Sequence, residues 1–304
     1  MKTLFAVSCI SAACANEEWL QMPNGLYYHS SCIHHHNEPF HLERVGNGTK
    51  ITSQDGIVTE LPPCPFSTRE SNNLTRPSSY YSDWSVYAQY ATPANTEFTY
   101  MTSQWNVPPA PQSHGPFGLS SVYLFNGLED GGGHHGVASL ILQPVLQFGK
   151  SGCLLNPTQW GQWHAGAYLV DGSGRAHCGK NFQVAENDTL IGTMEQTLSE
   201  SNTWKVSMTA KSNNQSIGFS SFTSTLGNKV LNAAYLTLEG MIIYNCKIYP
   251  SGGGVRFDNV HLMTKDGGTV QSPTWTPEIR HSECGQDVSV VSSEQVELKW
   301  DSNK

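Results

Sequence analysis

Charged side chains are scarce in this chain. Asp, Glu, Lys and Arg make up 14% of its 304 residues, against roughly 25% in an average globular protein. Disordered acidic or basic tails are rich in charge, and exposed helix faces are usually built from Glu, Lys and Arg, so the scarcity argues against both. The 17 basic and 25 acidic residues give a net charge of −8, and the basic residues form no cluster. A phosphate-binding surface needs clustered cations, so we do not expect a nucleic-acid partner.

Long hydrophobic runs are also missing. No stretch approaches the roughly 18 apolar residues of a membrane-spanning helix, so we expect no membrane partner. The N-terminus carries a short apolar run, Leu4–Ile10, which follows Lys2 and precedes the small-residue triplet Ala13–Ala15. A positive, an apolar and a small-residue region in this order are typical of a secretory signal peptide. The sequence therefore predicts a signal peptide over residues 1–15 and a secreted, extracellular protein, with a buried N-terminal strand as the alternative.

The CxxC spacing is absent, which argues against a zinc site built on thiolates. Six cysteines follow the signal peptide, and an even number in a secreted chain indicates disulfides. Of the roughly 15 pairings that six cysteines allow, closeness in sequence favours Cys32–Cys64, Cys153–Cys178 and Cys246–Cys284. Sequons for N-glycosylation fit the same secretory route, and they begin at Asn47, Asn73, Asn187 and Asn214.

Residues 16–78 differ from the rest of the chain. They contain runs of His, Asn and Pro and show no sustained periodicity, and they end in a polar stretch near Arg69–Ser79. We predict a small N-terminal segment, closed by the Cys32–Cys64 disulfide, ahead of a main domain over residues 79–304. This segment is either a pro-segment that is removed or an extension that packs on the main domain.

The main domain carries strand patterns one after another, separated by Gly, Pro and Asn clusters. Within Thr203–Ala210, for example, Trp204, Val206 and Met208 alternate with polar residues, which is the period of a half-buried strand. Many strands in one unit of this size predict an all-β fold, an antiparallel β-sandwich of two sheets of the concanavalin or jelly-roll kind. The predicted strands are Phe98–Val107, Ser121–Leu128, Val137–Phe148, Thr189–Leu198, Thr203–Ala210, Ala233–Tyr244, Val255–Leu262 and Val296–Trp300.

Two of these strands each place a polar residue opposite an apolar stripe: Gln143 in LILQPVLQF and Glu239 in AYLTLEGM. A carboxylate can take a proton from water and return it to a leaving amine. An amide can donate to the oxyanion of a tetrahedral intermediate. Each residue taken alone also has an ordinary explanation as a polar position on an exposed strand face.

The stretch from Phe98 to Trp300 resembles the glutamic peptidases of the eqolisin type. The segments that carry the resemblance occur in the family's order: WNVPPAP (105–111), YLFNGLED (123–130), LILQ (140–143), WGQWHAGAY (160–168), VAENDTLIGTM (184–194), NAAYLTLE (232–239) and the final VELKW. The resemblance implies an acid-active endopeptidase with a two-sheet sandwich, a removable pro-segment, a polypeptide substrate and no metal or cofactor. We expect it to act as a monomer.

The same resemblance assigns the site residues. It implies Glu239 and Gln143 as the catalytic pair, with Phe125 and Trp163 lining the substrate cleft. The chain departs from the family at two positions where the family carries an acid, because it has Gln147 and Ala165 there. Both departures make the cleft less acidic.

Other functions remain open from the sequence. His34, His35 and His36, with His134 and His135, are candidates for a transition-metal site or for an exposed polar loop. A serine hydrolase lacks support because no GxSxG motif occurs, and paired cysteines leave no thiol nucleophile. A glycoside hydrolase would need two carboxylates roughly 5–9.5 Å apart, for which Glu195 and Glu239 are candidates. A secreted sandwich that binds glycans or cell-wall material without catalysis is the alternative from another class.

Overall fold

The computed structural model describes residues 19–68, 81–93, 96–115, 118–131, 140–172, 174–265 and 268–304. The predicted signal peptide, the predicted linker, Asn73, His134 and His135 lie outside these ranges. Within them the chain forms strands and short 3₁₀ turns. The strands are β1 (Trp19–Gln21), β2 (Tyr27–His29), β3 (Ile33–His35), β4 (Phe40–Val45), β5 (Gly48–Ser53), β6 (Val58–Leu61), β7 (Tyr81–Ala91), β8 (Phe98–Asn106), β9 (Ser121–Glu129), β10 (Leu140–Gly149), β11 (Trp163–Asp171), β12 (Ala176–Cys178), β13 (Phe182–Val184), β14 (Thr189–Leu198), β15 (Thr203–Ser212), β16 (Gln215–Thr225), β17 (Ala233–Ile243), β18 (Gly254–Thr264), β19 (Thr276–Ile279), β20 (Asp287–Ser292) and β21 (Gln295–Lys299).

Two large sheets form the predicted sandwich. Sheet 1 has the order β19-β7-β17-β9-β10-β11-β12-β3, with β13 also paired to β11. Sheet 2 has the order β20-β21-β18-β8-β14-β15-β16-β4-β5-β6. Among the described strands, the pairs are antiparallel except β3 with β12 and β4 with β16. Both parallel pairs attach the N-terminal segment to the main domain, one at the edge of each sheet.

The main core lies between the two sheets. In β15 the side chains of Trp204, Val206 and Met208 are fully buried there, as the alternation predicts. From sheet 1, Leu236 and Leu238 of β17 meet them in the same cluster. At roughly 25 cal/mol per Å² of apolar surface removed from water, side chains of this size make the inter-sheet layer the main stabilising feature of the fold.

A second apolar cluster covers the other face of sheet 1, the face that points away from sheet 2. It joins Leu20, Met22 and Tyr28 of the N-terminal segment to sheet residues that include Trp84 and Tyr235. The side chains of β9 and β10 are therefore buried on both faces. We call this surface of sheet 1 the covered face.

The structure contains the three predicted disulfides, Cys32–Cys64, Cys153–Cys178 and Cys246–Cys284. The first closes the N-terminal segment on itself, and the second joins the loop after β10 to β12. Three of the four sequon asparagines, at positions 47, 187 and 214, are exposed. No helix within the described residues has the length and hydropathy to cross a membrane.

Candidate functional site

Glu239, Tyr123 and Gln147 lie side by side on the covered face. Tyr123 of β9 pairs with Glu239 of β17 on one side and with Gln147 of β10 on the other. Strands in a sheet are about 4.8 Å apart, so the Cα atoms of Glu239 and Gln147 are separated by about 10 Å, with Tyr123 between them. All three residues are buried. We refer to these three residues as the Glu239 row.

Gln143 lies on the same face but in a different row. It falls between the pairs Leu142–Leu128 and Val145–Phe125, level with Gly127 of β9, which in turn pairs with Tyr235 of β17. Four residues at about 3.3 Å each and two strand spacings separate the Cα atoms of Gln143 and Glu239 by about 16 Å. The register thus brings Gln147, rather than Gln143, beside Glu239.

Glu239 sits at an irregular point of its strand. The register with β7 shifts between Leu238 and Glu239, and again between Gly240 and Ile243. Between these shifts Ile242 has a left-handed backbone, with φ of 55°, which is costly for a β-branched residue. Two hydrogen bonds hold this conformation: the Ile242 N–H donates to Ser82 Oγ, and Ser120 Oγ donates to the Ile242 carbonyl. Bulges of this kind commonly occur next to functional sites, where they re-aim a side chain.

The Glu239 carboxyl is enclosed by the N-terminal segment. Its Oε1 accepts a hydrogen bond from the Gly25 N–H at 2.9 Å, and its Oε2 makes none within the described part of the chain. Burial raises the pKa of Glu239 well above its ordinary value, and the charge of Asp83 raises it further. The Gly25 N–H and the Trp84 side chain favour the ionised form and act in the opposite direction. In the covered state this carboxyl is therefore biased toward its protonated form.

The Gln147 amide is held in one orientation. Its Oε1 accepts a hydrogen bond from Ser151 Oγ at 2.8 Å, and Ser151 Oγ accepts one from the Cys153 N–H at 3.1 Å. The Gln147 Nε2 makes no hydrogen bond to the described residues. Burial, and then the Glu239 charge, raises the pKa of Tyr123 well above its ordinary value, so Tyr123 keeps its phenolic proton.

Buried polar atoms are concentrated on this face. Buried polar groups in proteins almost always have a hydrogen-bond partner, either protein or water, yet several here find none in the described ranges. Such groups suit water or a polar substrate. They include Gln143 Oε1 and Nε2, Gln147 Nε2, Thr237 Oγ1, Glu239 Oε2 and the Tyr123 hydroxyl, with Gln21 Oε1 on the covering segment.

Phe125 lies on the covered face, in the row next to Glu239, where its ring meets Trp84 edge-on at 5.5 Å. Trp163, expected in the cleft, lies instead in the inter-sheet core, with its ring 5.1 Å from that of Phe148. Ala165 faces the same core. The reason is the parity of β11: His164 pairs with Gln147 and shares its face, so the neighbours of His164 point the other way.

Because Trp163 is a core residue, we expect Trp163→Ala to lower the free energy of unfolding by about 3–5 kcal/mol. Chemical denaturation of the variant and the parent measures this loss. Leu155→Ala, at an exposed position, serves as the control and should change stability little. Wild-type stability combined with a weakened affinity for substrate would place Trp163 in the cleft after all.

Glu129 is a second buried carboxyl on the covered face, at the opposite end of β9 from the Glu239 row. Burial raises its pKa to about 8, and the Tyr235 side chain partly offsets this. Glu129, Tyr123 and Ser151 are site residues that the sequence does not predict. In β9, alternation would place Glu129 and Tyr123 on one face. Both faces of this strand are largely apolar, so the sequence does not show which face carries the site.

Glu195 does not face Glu239. It lies on β14 of sheet 2, half-buried, and pairs with Lys205 at 3.6 Å. The pair of carboxylates considered for glycoside hydrolysis is therefore divided between two sheets, and that interpretation loses its support.

The histidine run lies where the N-terminal segment joins sheet 1. His34 of β3 pairs with His177 of β12, their rings lie 5.2 Å apart, and His36 Nε2 lies 3.4 Å from His177 Nδ1. Among the described residues, no group of three or more His, Cys, Asp or Glu side chains has the geometry to hold a metal ion. The histidines instead form part of the attachment between the segment and the sheet.

No protein-family model and no curated protein matches this chain. Solved structures do resemble it. One is a Scytalido-glutamic peptidase with a peptide-based transition-state analogue, at 14% identity and a TM-score of 0.48, covering 72% of this chain and 100% of the other. Another is SCP-B, a member of the eqolisin family of peptidases, in complex with the tripeptide Ala-Ile-His, at 13% identity, a TM-score of 0.48 and the same coverage. These likenesses are too distant to transfer a function.

Proposed function

We propose that this chain is a secreted peptidase in which Glu239 activates the water that hydrolyses a peptide bond. The observation that carries the proposal is the Glu239 row: a buried carboxyl with a raised pKa, aligned with a phenol and an amide. A carboxylate that alternates between ionised and protonated forms can serve first as base and then as acid. A buried phenol and amide can donate hydrogen bonds to a developing oxyanion.

The substrate we propose is an extended polypeptide. Thr237 Oγ1 and both amide atoms of Gln143 add hydrogen-bonding groups on the same face, in the rows beyond Glu239. An extended chain laid across β17, β9 and β10 would meet these groups at successive positions. Gln143, the amide that the resemblance assigns to the reaction, is among them.

The N-terminal segment must leave for such a chain to enter. The β1–β2 hairpin and its turn lie over the site, where Gly25 contacts Glu239 and Met22 and Tyr28 pack on the sheet. We therefore propose that residues 16–78 act as an inhibitory pro-segment and that the described arrangement is the inactive form. The predicted signal peptide and the three disulfides fit export and maturation outside the cytosol.

The test is proteolysis of a denatured protein by two forms of the protein, the intact chain and the chain cut within residues 69–78 and separated from its N-terminal segment. We expect cleavage by the second form at acidic pH and little or none by the first while its N-terminal segment stays attached. Activity should survive chelators. If neither form cleaves protein between acidic and neutral pH, the peptidase proposal fails, and binding to a glycan array that persists in Glu239→Gln would favour the binding-module alternative.

A further inference from the structure

We infer that Gln147, oriented by Ser151, is the amide that works with Glu239 on the reacting carbonyl. This inference rests on the proposed peptidase function and names a residue of the same site. The primary observation is register. Both Glu239 and Gln147 pair with Tyr123, whereas Gln143 is four residues away along β10. The Cα atoms of Glu239 and Gln147 are about 10 Å apart in one row, against about 16 Å for Glu239 and Gln143, so Gln147 is the nearer amide.

The second observation is the orientation of the amide. Ser151 donates to Gln147 Oε1 at 2.8 Å, so the acceptor end of the amide is occupied. The donor end, Nε2, has no hydrogen bond among the described residues and is the end that an oxyanion needs. By contrast, neither amide atom of Gln143 is fixed by a hydrogen bond in the described chain. An oxyanion donor is effective when it is already positioned before the reaction.

The third observation is the support behind Ser151. Its hydroxyl accepts from the Cys153 N–H at 3.1 Å, and the Cys153–Cys178 disulfide ties this loop to β12. Asn181 Nδ2 adds a hydrogen bond to the Cys153 carbonyl at 2.7 Å. Ser151 is thus a positioning residue, held by a crosslinked loop, and Gln147 is the residue that contacts the substrate.

The chemistry follows from this placement. Ionised Glu239 takes a proton from water, and the oxygen of that water bonds to the carbonyl carbon of the substrate. The carbonyl oxygen becomes an oxyanion that receives hydrogen bonds from Gln147 Nε2 and the Tyr123 hydroxyl. When the carbon–nitrogen bond breaks, Glu239 gives its proton to the departing amine. One water is consumed, and one carboxylic acid and one amine are formed.

A pair of matched variants tests the inference in the chain freed of its N-terminal segment. We expect Gln147→Ala to lower kcat about 10²–10³-fold, the usual loss for one oxyanion donor, with little change in KM. Gln143→Ala should chiefly raise KM, since its amide would contact the substrate away from the reacting bond. Ser151→Ala should lower kcat by a smaller factor, and Ser151→Thr, which keeps the hydroxyl, should restore much of it.

Thermal melts of each variant separate loss of function from loss of fold. If Gln147→Ala keeps wild-type kcat while Gln143→Ala loses it, the inference is overturned and the peptidase proposal stands. If the unmodified cut chain is inactive, the peptidase proposal itself has failed. A structure of the cut chain with a peptide analogue bearing a tetrahedral hydroxyl gives an answer independent of rates, because that oxygen should lie about 3 Å from Gln147 Nε2.

Discussion

Replacing Glu239 with Gln is expected to abolish proteolysis, with a loss in kcat of about 10³-fold or more, because one carboxyl serves as both base and acid. The fold should survive. Gln is isosteric, its Oε1 can still accept from the Gly25 N–H, and the variant no longer buries an ionisable group at a site where burial raises its pKa. Glu195→Gln, at a half-buried position of sheet 2 away from the Glu239 row, is the control and should keep full activity.

The role of Glu239 as a base also sets how kcat depends on pH. Burial raises the pKa of Glu239 in the covered form, so at acidic pH that carboxyl is protonated and cannot act as a base. Removal of the segment exposes the carboxyl to water and returns its pKa toward the ordinary value of about 4.3. The rising limb of kcat against pH should therefore lie at lower pH in the cut chain than in any residual activity of the intact chain with its segment attached. Full activity in Glu239→Gln would contradict the mechanism.

Acidification is expected to detach the N-terminal segment from the sandwich. The cause is the histidine cluster at the β3–β12 junction: burial lowers the pKa of His34, lowers that of His36 to about 4, and lowers that of His177 well below its ordinary value. The positive charge of Arg175 lowers the pKa of His34 and His177 further. Protonation would place several positive charges, which repel one another, at one junction.

The linkage between proton binding and attachment gives the direction in which pH changes the stability of the attached form. A detached segment would return these histidines to a pKa near 6.5, so the detached form binds more protons than the attached form below that pH. The attachment is then fully favourable above about pH 6.5 and weakens as the pH falls toward 4, by up to about 1.4 kcal/mol for each pH unit of separation in one group. His41, which lies 2.8 Å from Thr223 Oγ1 at the β4–β16 junction, also has a lowered pKa because of burial and acts in the same direction.

Other ionisable groups face these junctions. Arg175 holds the segment through Thr49 and the carbonyls of Asn47 and Pro62, and it stays cationic at any pH considered. The carboxyls of Glu38 and Asp55 line the roughly 1000 Å³ cavity beside His34 and His36. Glu239 opposes the effect, because its raised pKa favours the covered form at low pH. The histidines at the two junctions outnumber it, so acid is expected to release the segment.

Hydrogen exchange of residues 19–61, followed from neutral to acidic pH, measures the release. Replacement of His34 and His36 with Gln and of His177 with Asn should shift its midpoint to lower pH, since neutral amides do not gain a proton. His261→Gln, on β18 of sheet 2, is the control and should leave the midpoint unchanged. If the three replacements leave the pH midpoint of release unchanged, another group governs the attachment.

Several features were predictable because they depend on short stretches of chain. Alternation of apolar and polar residues predicts the strands Thr189–Leu198 and Thr203–Ala210, and the structure has both, the second extending to Ser212. A strand with one buried face shows this alternation in its sequence. The disulfides follow from closeness in sequence. Alternation also divides the two faces of β10, with Leu142 and Leu146 in the inter-sheet core and Ile141 and Val145 on the covered face.

By itself, then, the sequence determined the all-β sandwich, eight of its strands and its crosslinks, since these arise from local periodicity and nearby cysteines. Only the tertiary structure decided that β9 lies between β10 and β17, and in which register. The β9–β17 pairing joins residues more than a hundred positions apart. A shift of four residues along it would place Gln143 instead of Gln147 beside Glu239. The tertiary structure also decided the side on which Trp163 lies, because β11 is buried on both faces and its parity carries no signal. The covering of Glu239 by Gly25 is likewise a contact between distant parts of the chain, which no local pattern encodes.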